Sequence, residues 1–599
     1  MQNIYPQVCQ FVGYWGYGNQ ENLDKTLSQI LSAAPGAWKT AQRLVPNNFI
    51  KQKKQYLSQI GCFGVNTNSS KVNSNNSIYV TVSTDGLRDS ADAWVKIDPL
   101  NHLTLGREAF GRVPLYWTQT EEVIWFASQL QLLLPIIENP QVSIAGLYGY
   151  SCFSYIPTPL TPVNHIFAIP AGTQLIWQTS NELKISSQPT QERLLEWRES
   201  SNLIADEATA ISQLQTLLKN AIQRQIADLN SEPVGVLLSG GLDSAIVAAH
   251  LVQAGVNVRA YTLDFGDVGI PELPYAEQVA QFLNIPLVKV AATQDCIRKS
   301  IIHTAQALDL PFGDSVTVPL FLLAQAASQE TKVIFNGEGG DQLFAGWTNK
   351  PLIAAEVYNT VNPTGKENFS SQYLRTFHRL YGYESQIFQP AVYEQVQQIN
   401  PEYWLEAALD PSFSTSVLHR LRRATLMLKG AQNIHPRATN IAFAHKLKVR
   451  SPFCDLSLAE WTFQLSGKLC LQGSCEKYIL KRAVENLLPP EIVWREKRGM
   501  EVPLTYWCLN QLWGFVGTWL NPGKLRAEKI WQPHLAAHIV AGDIGATIKS
   551  RRLGEMLWLL IMWEVWRTTV LGEESNNYAW DHPFWFPRQL WSFSRKWKD

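Results

Sequence analysis

Val234 to His250 reads VGVLLSGGLDSAIVAAH: an apolar run of strand length, a serine–glycine–glycine turn, and then at once an apolar helical stretch. In Ser239-Gly240-Gly241-Leu242-Asp243-Ser244 the glycines let backbone N–H groups turn toward an anion with no Cβ in the way. The helix that begins beside them adds a partial positive charge at the same spot. No lysine follows the glycines, so this is not the mononucleotide loop G-x-x-x-x-G-K-[ST]. Asp243 inside a phosphate cradle is repulsive unless a cation bridges it, so the loop implies Mg²⁺ as well as a nucleotide. The bland alternative is an ordinary strand–turn–helix, but Ser-Gly-Gly-x-Asp-Ser directly after an apolar strand is rarely met by accident.

Outward from this loop, short β-branched runs alternate with helical periods: Val256 to Leu263, Leu287 to Val290 and Lys332 to Phe335 each adjoin a helical stretch. That alternation predicts a parallel sheet covered on both faces. Past about residue 355 the pattern is nearly all helical. Before residue 185 the texture differs, with short β-like runs at Phe11–Tyr14, Ser77–Val82, Glu122–Phe126 and Gly172–Trp177 that predict a sheet-rich domain. The polar stretch Gln188 to Asn202 is read as a linker. The expected organisation is α/β, with one domain over 1–187, a second over 205–572, and an aromatic tail over 573–599.

A chain of 599 residues is too long for one core. Lys plus Arg and Asp plus Glu each number 51, so the net charge is zero, which speaks against a nucleic-acid binder. The apolar share of 46% excludes wholesale disorder. With 22 tryptophans, some are expected to line a cleft or an interface. The eight cysteines form no C-x-x-C pair and no zinc spacing, and read as reduced residues of a cytoplasmic protein. Leu553 to Trp566 is the most apolar stretch. It is too short to span a bilayer and carries Glu555 and Glu564, so a buried helix is expected rather than a membrane contact.

The loop resembles that of the N-type ATP pyrophosphatases, and the rest of this half is similar to asparagine synthetases. Gly337-Glu338-Gly339-Gly340-Asp341-Gln342-Leu343-Phe344-Ala345-Gly346-Trp347 is similar to the family's G-E-G-[AGS]-D-E-L-F-G-G-Y. Arg450-Ser451-Pro452-Phe453-Cys454-Asp455 resembles R-V-P-F-L-D, Glu476 to Arg482 resembles [ET]-K-x-x-L-R, and Arg495 to Gly499 resembles R-x-K-x-G. The resemblance implies an adenine-nucleotide α-hydrolase-like fold and an AMP-forming carbon–nitrogen ligase that uses ATP and Mg²⁺. The implied nucleotide-binding set is Leu238, Ser239, Gly240, Gly241, Asp243, Ser244, Leu263, Gly337 and Lys497, with Asp243 and Asp341 sharing the metal. Lys477, expected on a helix that points into the site, stabilises charge at the α-phosphate and in the tetrahedral intermediate. Glu338 is the candidate base for the incoming amine, against a purely loop-ordering role.

Residues 11 to about 185 resemble the family's N-terminal glutaminase, an Ntn-hydrolase-like sheet sandwich. Phe11 to Gly16 looks like its opening strand, and Gly106 to Tyr116 looks like R-D-x-F-G-x-x-P-L-Y. Cys9 stands where the nucleophile belongs, but eight residues precede it and Gln10 replaces the usual glycine. The family's R-G-P-D and oxyanion Asn-Gly-Glu have no counterpart; Ser83-Thr84-Asp85-Gly86 lies near the latter. Thr439-Asn440 replaces a family D-R pair. The domain is therefore read as degenerate, and the chain as translated is not expected to hydrolyse glutamine unless Met1 to Val8 are removed. Three readings follow: asparagine synthetase-like amidation of a carboxylate such as aspartate; intramolecular amide closure of a precursor peptide or small molecule, as in lasso peptide cyclases and β-lactam synthetases; and a non-catalytic nucleotide-binding scaffold. The amine donor is left unassigned, and the resemblance admits a homodimer.

Overall fold

The computed structural model describes residues 7–8, 10–33, 42–44, 49–51, 54–63, 78–84, 91–178, 188–266, 268, 272–346, 369–376, 380–497, 499–544, 552–573 and 582–584. Cys9, Asp85, Gly86, Trp347, Arg498 and most of the aromatic tail lie outside them.

The N-terminal half is two stacked sheets. One runs, edge to edge, through Gln7–Val8, Ile78–Val82, Ala93–Ile97, Leu103–Arg107, Thr173–Trp177 and Thr190–Arg193. The other runs through Phe167–Ala168, Tyr116–Thr120, Val123–Ala127, Gln10–Tyr17, Lys54–Phe63 and Gln42–Leu44, with Phe49–Lys51 also paired to Lys54–Phe63. Side chains alternate across a strand, so Phe11 and Trp15 enter the layer between the sheets with Val80, Leu105 and Phe126. Val12 and Tyr14 face the other way and join a core with Leu27 and Ile30 of helix Gln20–Ala33. Each fully buried apolar side chain of this kind contributes about 1.5–3 kcal/mol. The stretch expected to be a linker is partly sheet: Thr190–Arg193 pairs antiparallel with Thr173–Ile176. Trp197 then buries itself against Phe110 and Phe463. Polar composition reflects an exposed edge strand there, not a free tether.

The second half is built on five parallel strands in the order Leu287–Ala291, Val258–Asp264, Val234–Leu237, Val333–Phe335, Lys448–Arg450. Val236, Ala260 and Phe335 face a core shared with helices Glu207–Ile226 and Leu242–Gln253. Tyr261, Ile334 and Val449 face the opposite core, with helices Gln294–Leu308, Thr317–Ala327 and His435–Ala444. The spatial order reverses between Val234–Leu237 and Val333–Phe335. In open parallel sheets that reversal is where ligands bind, outside the carboxyl ends of the strands.

The apolar stretch near the end is helix Arg552–Thr569, buried from Met556 through Arg567. Its Glu564 is paired inside the protein with Arg567 at 3.2 Å and accepts from Trp531 Nε1 at 3.2 Å. Among the described residues no helix is long and apolar enough to cross a membrane. Of the tail, His582 stacks on Trp513 and Phe584 is buried.

The two halves share polar contacts. Asp309 accepts from the N–H groups of Leu130 and Gln131 across the boundary, Phe110 O meets His435 Nδ1 at 2.7 Å, and Val449 N donates to Thr84 O at 3.2 Å. Many tryptophans fill cores, as Trp15, Trp507, Trp558 and Trp563 do. Some meet the expectation of an interface: Trp197 and Trp404 line a cavity of 210 Å³ where the halves join, and Trp563 packs on Tyr150 at 5.3 Å.

Candidate active site

The strand–turn–helix around Ser239 to Ser244 forms as the sequence requires. Strand Val234–Leu237 ends, Gly240 turns with φ +71°, and the helix starts at Leu242. A Cβ on Gly240 would lie 2.7 Å from Ala276 N, so both the left-handed backbone and the space demand glycine. Ser244 Oγ lies 3.2 Å from Ser239 Oγ and 3.2 Å from Gly241 O, which cross-ties the turn. Arg495 stacks on Tyr275 at 3.5 Å and reaches Gly240 O at 3.4 Å, placing a guanidinium over the loop.

Beside the cradle is a four-member charge cluster. Lys477 Nζ donates to both Asp243 oxygens at 2.6 and 2.5 Å and also pairs with Asp341. Lys497 Nζ meets the other Asp341 oxygen at 2.8 Å. Asp243 and Asp341 follow the two central strands, so their carboxylates converge at the reversal point. Burial raises the Asp243 carboxyl above its ordinary range. Burial acts the same way on Asp341, but Lys477 and Lys497 outweigh it and hold that carboxyl well below the usual range. Desolvation works against the charge of Lys497, and the facing Asp341 and Asp243 reverse the effect and raise it.

Lys477 is not inside a helix. It precedes helix Tyr478–Ala483 with φ +56°, a conformation that is strained for a long side chain. Only 2% of Lys477 is exposed, and a Cβ on Gly346 would overlap its Cε. The glycine at 346 is what lets the lysine reach both carboxylates. Glu476, also buried, accepts from Lys497 N at 2.8 Å and so ties the two lysine segments together.

Glu338 lines the same cavity, with its N–H held by Asn336 Oδ1 at 3.1 Å. Desolvation raises its carboxyl above the ordinary range, against the pull of Arg437, whose Nη2 stands 3.9 Å away. Arg437 itself is held by Asp314 at 2.6 Å. The cavity measures about 360 Å³, and Leu238, Ser239, Gly241, Asp243, Ser244, Leu263, Gly337, Glu338, Asp341 and Lys497 all line it. Sequence reading missed Arg437, Asn336, Glu476 and Arg495. The last two stand inside quoted motifs and could have been found there; a lone arginine in helix His435–Ala444 gave no signal.

A glycine cradle at the sheet reversal, two carboxylates at adjacent strand ends and two lysines on them define an ATP-dependent ligase. The chain belongs to the asparagine synthase family, whose model matches residues 213–568. A glutamine amidotransferase domain model matches residues 97–187. The chain is 22% identical over 449 residues to asparagine synthetase [glutamine-hydrolyzing] 1 of Bacillus subtilis, covering 70% of this chain and 68% of that one. It is 23% identical over 433 residues to a putative asparagine synthetase of Mycobacterium tuberculosis, with 68% and 65% covered. It is 22% identical over 428 residues to asparagine synthetase B of Escherichia coli, with 68% and 60% covered. Solved structures that match in part include an NH3-dependent NAD synthetase from Campylobacter jejuni, at 14% identity over 33% of this chain and 93% of that one, with a TM-score of 0.19. Another is a glutamine PRPP amidotransferase from Bacillus subtilis, at 9% identity over 47% and 90%, also with a TM-score of 0.19.

Proposed function

We propose that this protein joins a carboxylate to an amine through an acyl adenylate in a synthetase domain over 205–572, which follows an amidotransferase-like domain over 1–187. The observation that carries the reading is the Asp243–Lys477–Asp341–Lys497 cluster beside the cradle, with Glu338 in the same cavity. A carboxylate oxygen attacks the α-phosphorus of ATP, the bond to the β-phosphate breaks, and pyrophosphate leaves. The amine nitrogen then attacks the acyl carbon, Glu338 takes its proton, and AMP departs. Ser239, Gly240, Gly241 and Ser244 cradle the pyrophosphate part and Arg495 closes over it; Lys477 faces the charge that develops at the α-phosphate.

Asp243 and Asp341 fit Mg²⁺: hard oxygen donors in one cavity wall, and too few for an all-protein cage, since no cluster of three metal-ligating side chains occurs among the described residues. When bound with the nucleotide, the ion would neutralise the leaving pyrophosphate. The reading predicts AMP and pyrophosphate as products, by chromatography of the spent nucleotide; stoichiometric ADP would overturn it.

Glu338→Gln is expected to slow amide formation by about 10²–10⁴-fold, the usual contribution of a positioned base. A base must be ionised, so activity falls as pH drops through the raised pKa of Glu338. Arg437 favours the ionised form; Arg437→Met therefore moves the acid limb of the rate profile to higher pH. An unmoved limb shows that Arg437 does not tune this carboxyl.

Intramolecular closure is the second reading. It is favoured by the pairing of Gln7–Val8 with Thr81–Val82, which builds the segment ahead of Cys9 into the sheet. A family member without working glutamine hydrolysis needs another amine.

A further inference from the structure

The cavity does not stop at the phosphate cradle. It continues along the sheet face that carries Leu237, Ile334 and Val449, under helices Thr317–Ala327 and His435–Ala444, where Leu323, Ala324 and Ile441 complete an apolar pouch. Leu323, Ala324 and Ile441 are each 3% exposed or less. Five acidic residues, Asp243, Asp264, Glu272, Glu338 and Asp341, also line the cavity. Among the described lining residues Lys497 is the one cation, and Asp341 already holds it at 2.8 Å.

Neighbouring cations are already paired: Lys477 with Asp243 and Asp341, and Arg437 with Asp314 and, at 3.9 Å, with Glu338. Arg437 does not line the cavity. At the place of the family's arginine, Asn440 donates its side-chain amide to Leu308 O at 3.0 Å. A substrate with a second carboxylate would bring that charge into an apolar pouch of a cavity whose one lining cation, Lys497, is already paired with Asp341. Burying it unpaired is unfavourable. An aliphatic or aromatic chain, by contrast, is matched by Leu237, Leu323, Ala324, Ile334, Ile441 and Val449.

We infer that the acyl group activated here is apolar: the substrate is a monocarboxylate on an aliphatic or aromatic body, and free aspartate is not the acceptor. The inference rests on the acyl-adenylate reading and names the substrate class of that site. The carboxylate stays at the rim beside Lys477 and the α-phosphate, and the body of the acid fills the pouch.

The test uses the full chain and stable acyl-adenylate mimics, titrated calorimetrically. Hexanoyl- and phenylacetyl-sulfamoyl adenosine are expected to bind roughly 30-fold or more tightly than aspartyl-sulfamoyl adenosine, because several buried methylenes separate them. Equal or tighter binding of the aspartyl compound overturns the apolar assignment and leaves the adenylate reading standing. Failure of all three while ATP binds overturns the adenylate reading itself. A second measurement locates the acyl chain. Ala324→Leu narrows the pouch, and is expected to weaken the hexanoyl compound by about tenfold or more while ATP affinity holds. A parallel loss of ATP affinity, in a variant whose melting shows it folded, would give the pouch to adenine and overturn the proposal.

Discussion

Lys477→Ala is expected to lower the rate of adenylate formation by about 10²–10³-fold, the range seen when one preorganised charge-stabilising donor is removed. The size follows from where the ammonium sits. It contacts both oxygens of Asp243 and one of Asp341, and is itself buried. Its field at a neighbouring phosphate is therefore little screened. A second effect is separable from the first. Removing the lysine leaves two half-buried carboxylates facing each other with Lys497 as their remaining cation. That loss destabilises by less than the roughly 3–5 kcal/mol of a fully buried pair, because Asp341 is 31% exposed. The nucleotide-free variant should thus melt at a lower temperature than the parent. Rapid-quench measurement of pyrophosphate release at saturating Mg·ATP reads the chemical effect, and thermal unfolding reads the structural one. Asp243→Asn and Asp341→Asn serve as contrasts, because they should weaken Mg·ATP use and adenylation together. Normal turnover of Lys477→Ala with ATP bound would remove this lysine from the chemistry.

Much of this site was legible in the chain because a tight turn between strand and helix restricts residue identity. Glycine at 240 is dictated by a left-handed turn with no room for a Cβ. Such constraints leave short motifs, and motifs at 239–244, 337–341, 477 and 495–497 all arrive at one cavity or its wall. Four strands of the parallel sheet were equally plain, since β-branched runs alternate with helical periods. The fifth, Lys448–Arg450, was missed because three residues inside a stretch read as nearly all helical leave no apolar run to find. What escaped reading is what only tertiary proximity creates. Arg437 becomes Glu338's neighbour because helix His435–Ala444 packs over the sheet face, and nothing in its own flanks marks it. Ala324 and Ile441 are ordinary apolar helix residues in sequence, and become pouch lining only once both helices dock. Lys477 was placed on a helix by its context; the close approach to Asp243 and Asp341 instead holds it one residue ahead of the helix, in a left-handed backbone.

The full chain, as translated, is expected to release no glutamate from glutamine. A cysteine thiol needs a base beside it to act at neutral pH. In glutaminases with an N-terminal cysteine that base is the residue's own α-amine, with a pKa of roughly 7.7–8.0. Here the nitrogen of Cys9 is an amide joined to Val8 and cannot take a proton. The fold adds a reason for the segment ahead of it to stay. Gln7–Val8 forms an edge strand, paired in parallel register with Thr81–Val82 of the six-stranded sheet. Gln10–Tyr17 runs in the centre of the other sheet. Cleavage after Val8 would strip an edge strand to free one amine. Even then, a site lacking the oxyanion asparagine, as the sequence is read, would lose about 3–4 kcal/mol of barrier lowering. The domain would serve instead through its boundary, where Asp309 grips the backbone at Leu130 and Gln131, and Phe110 O meets His435. Two measurements decide the matter: intact mass of the protein from its own host, and a glutaminase assay on the full chain and on a chain that begins at Cys9. Glutamate release by the full chain would show that a base other than the α-amine serves Cys9. Release by a naturally trimmed chain would make Met1 to Val8 a propeptide and the edge strand a temporary one.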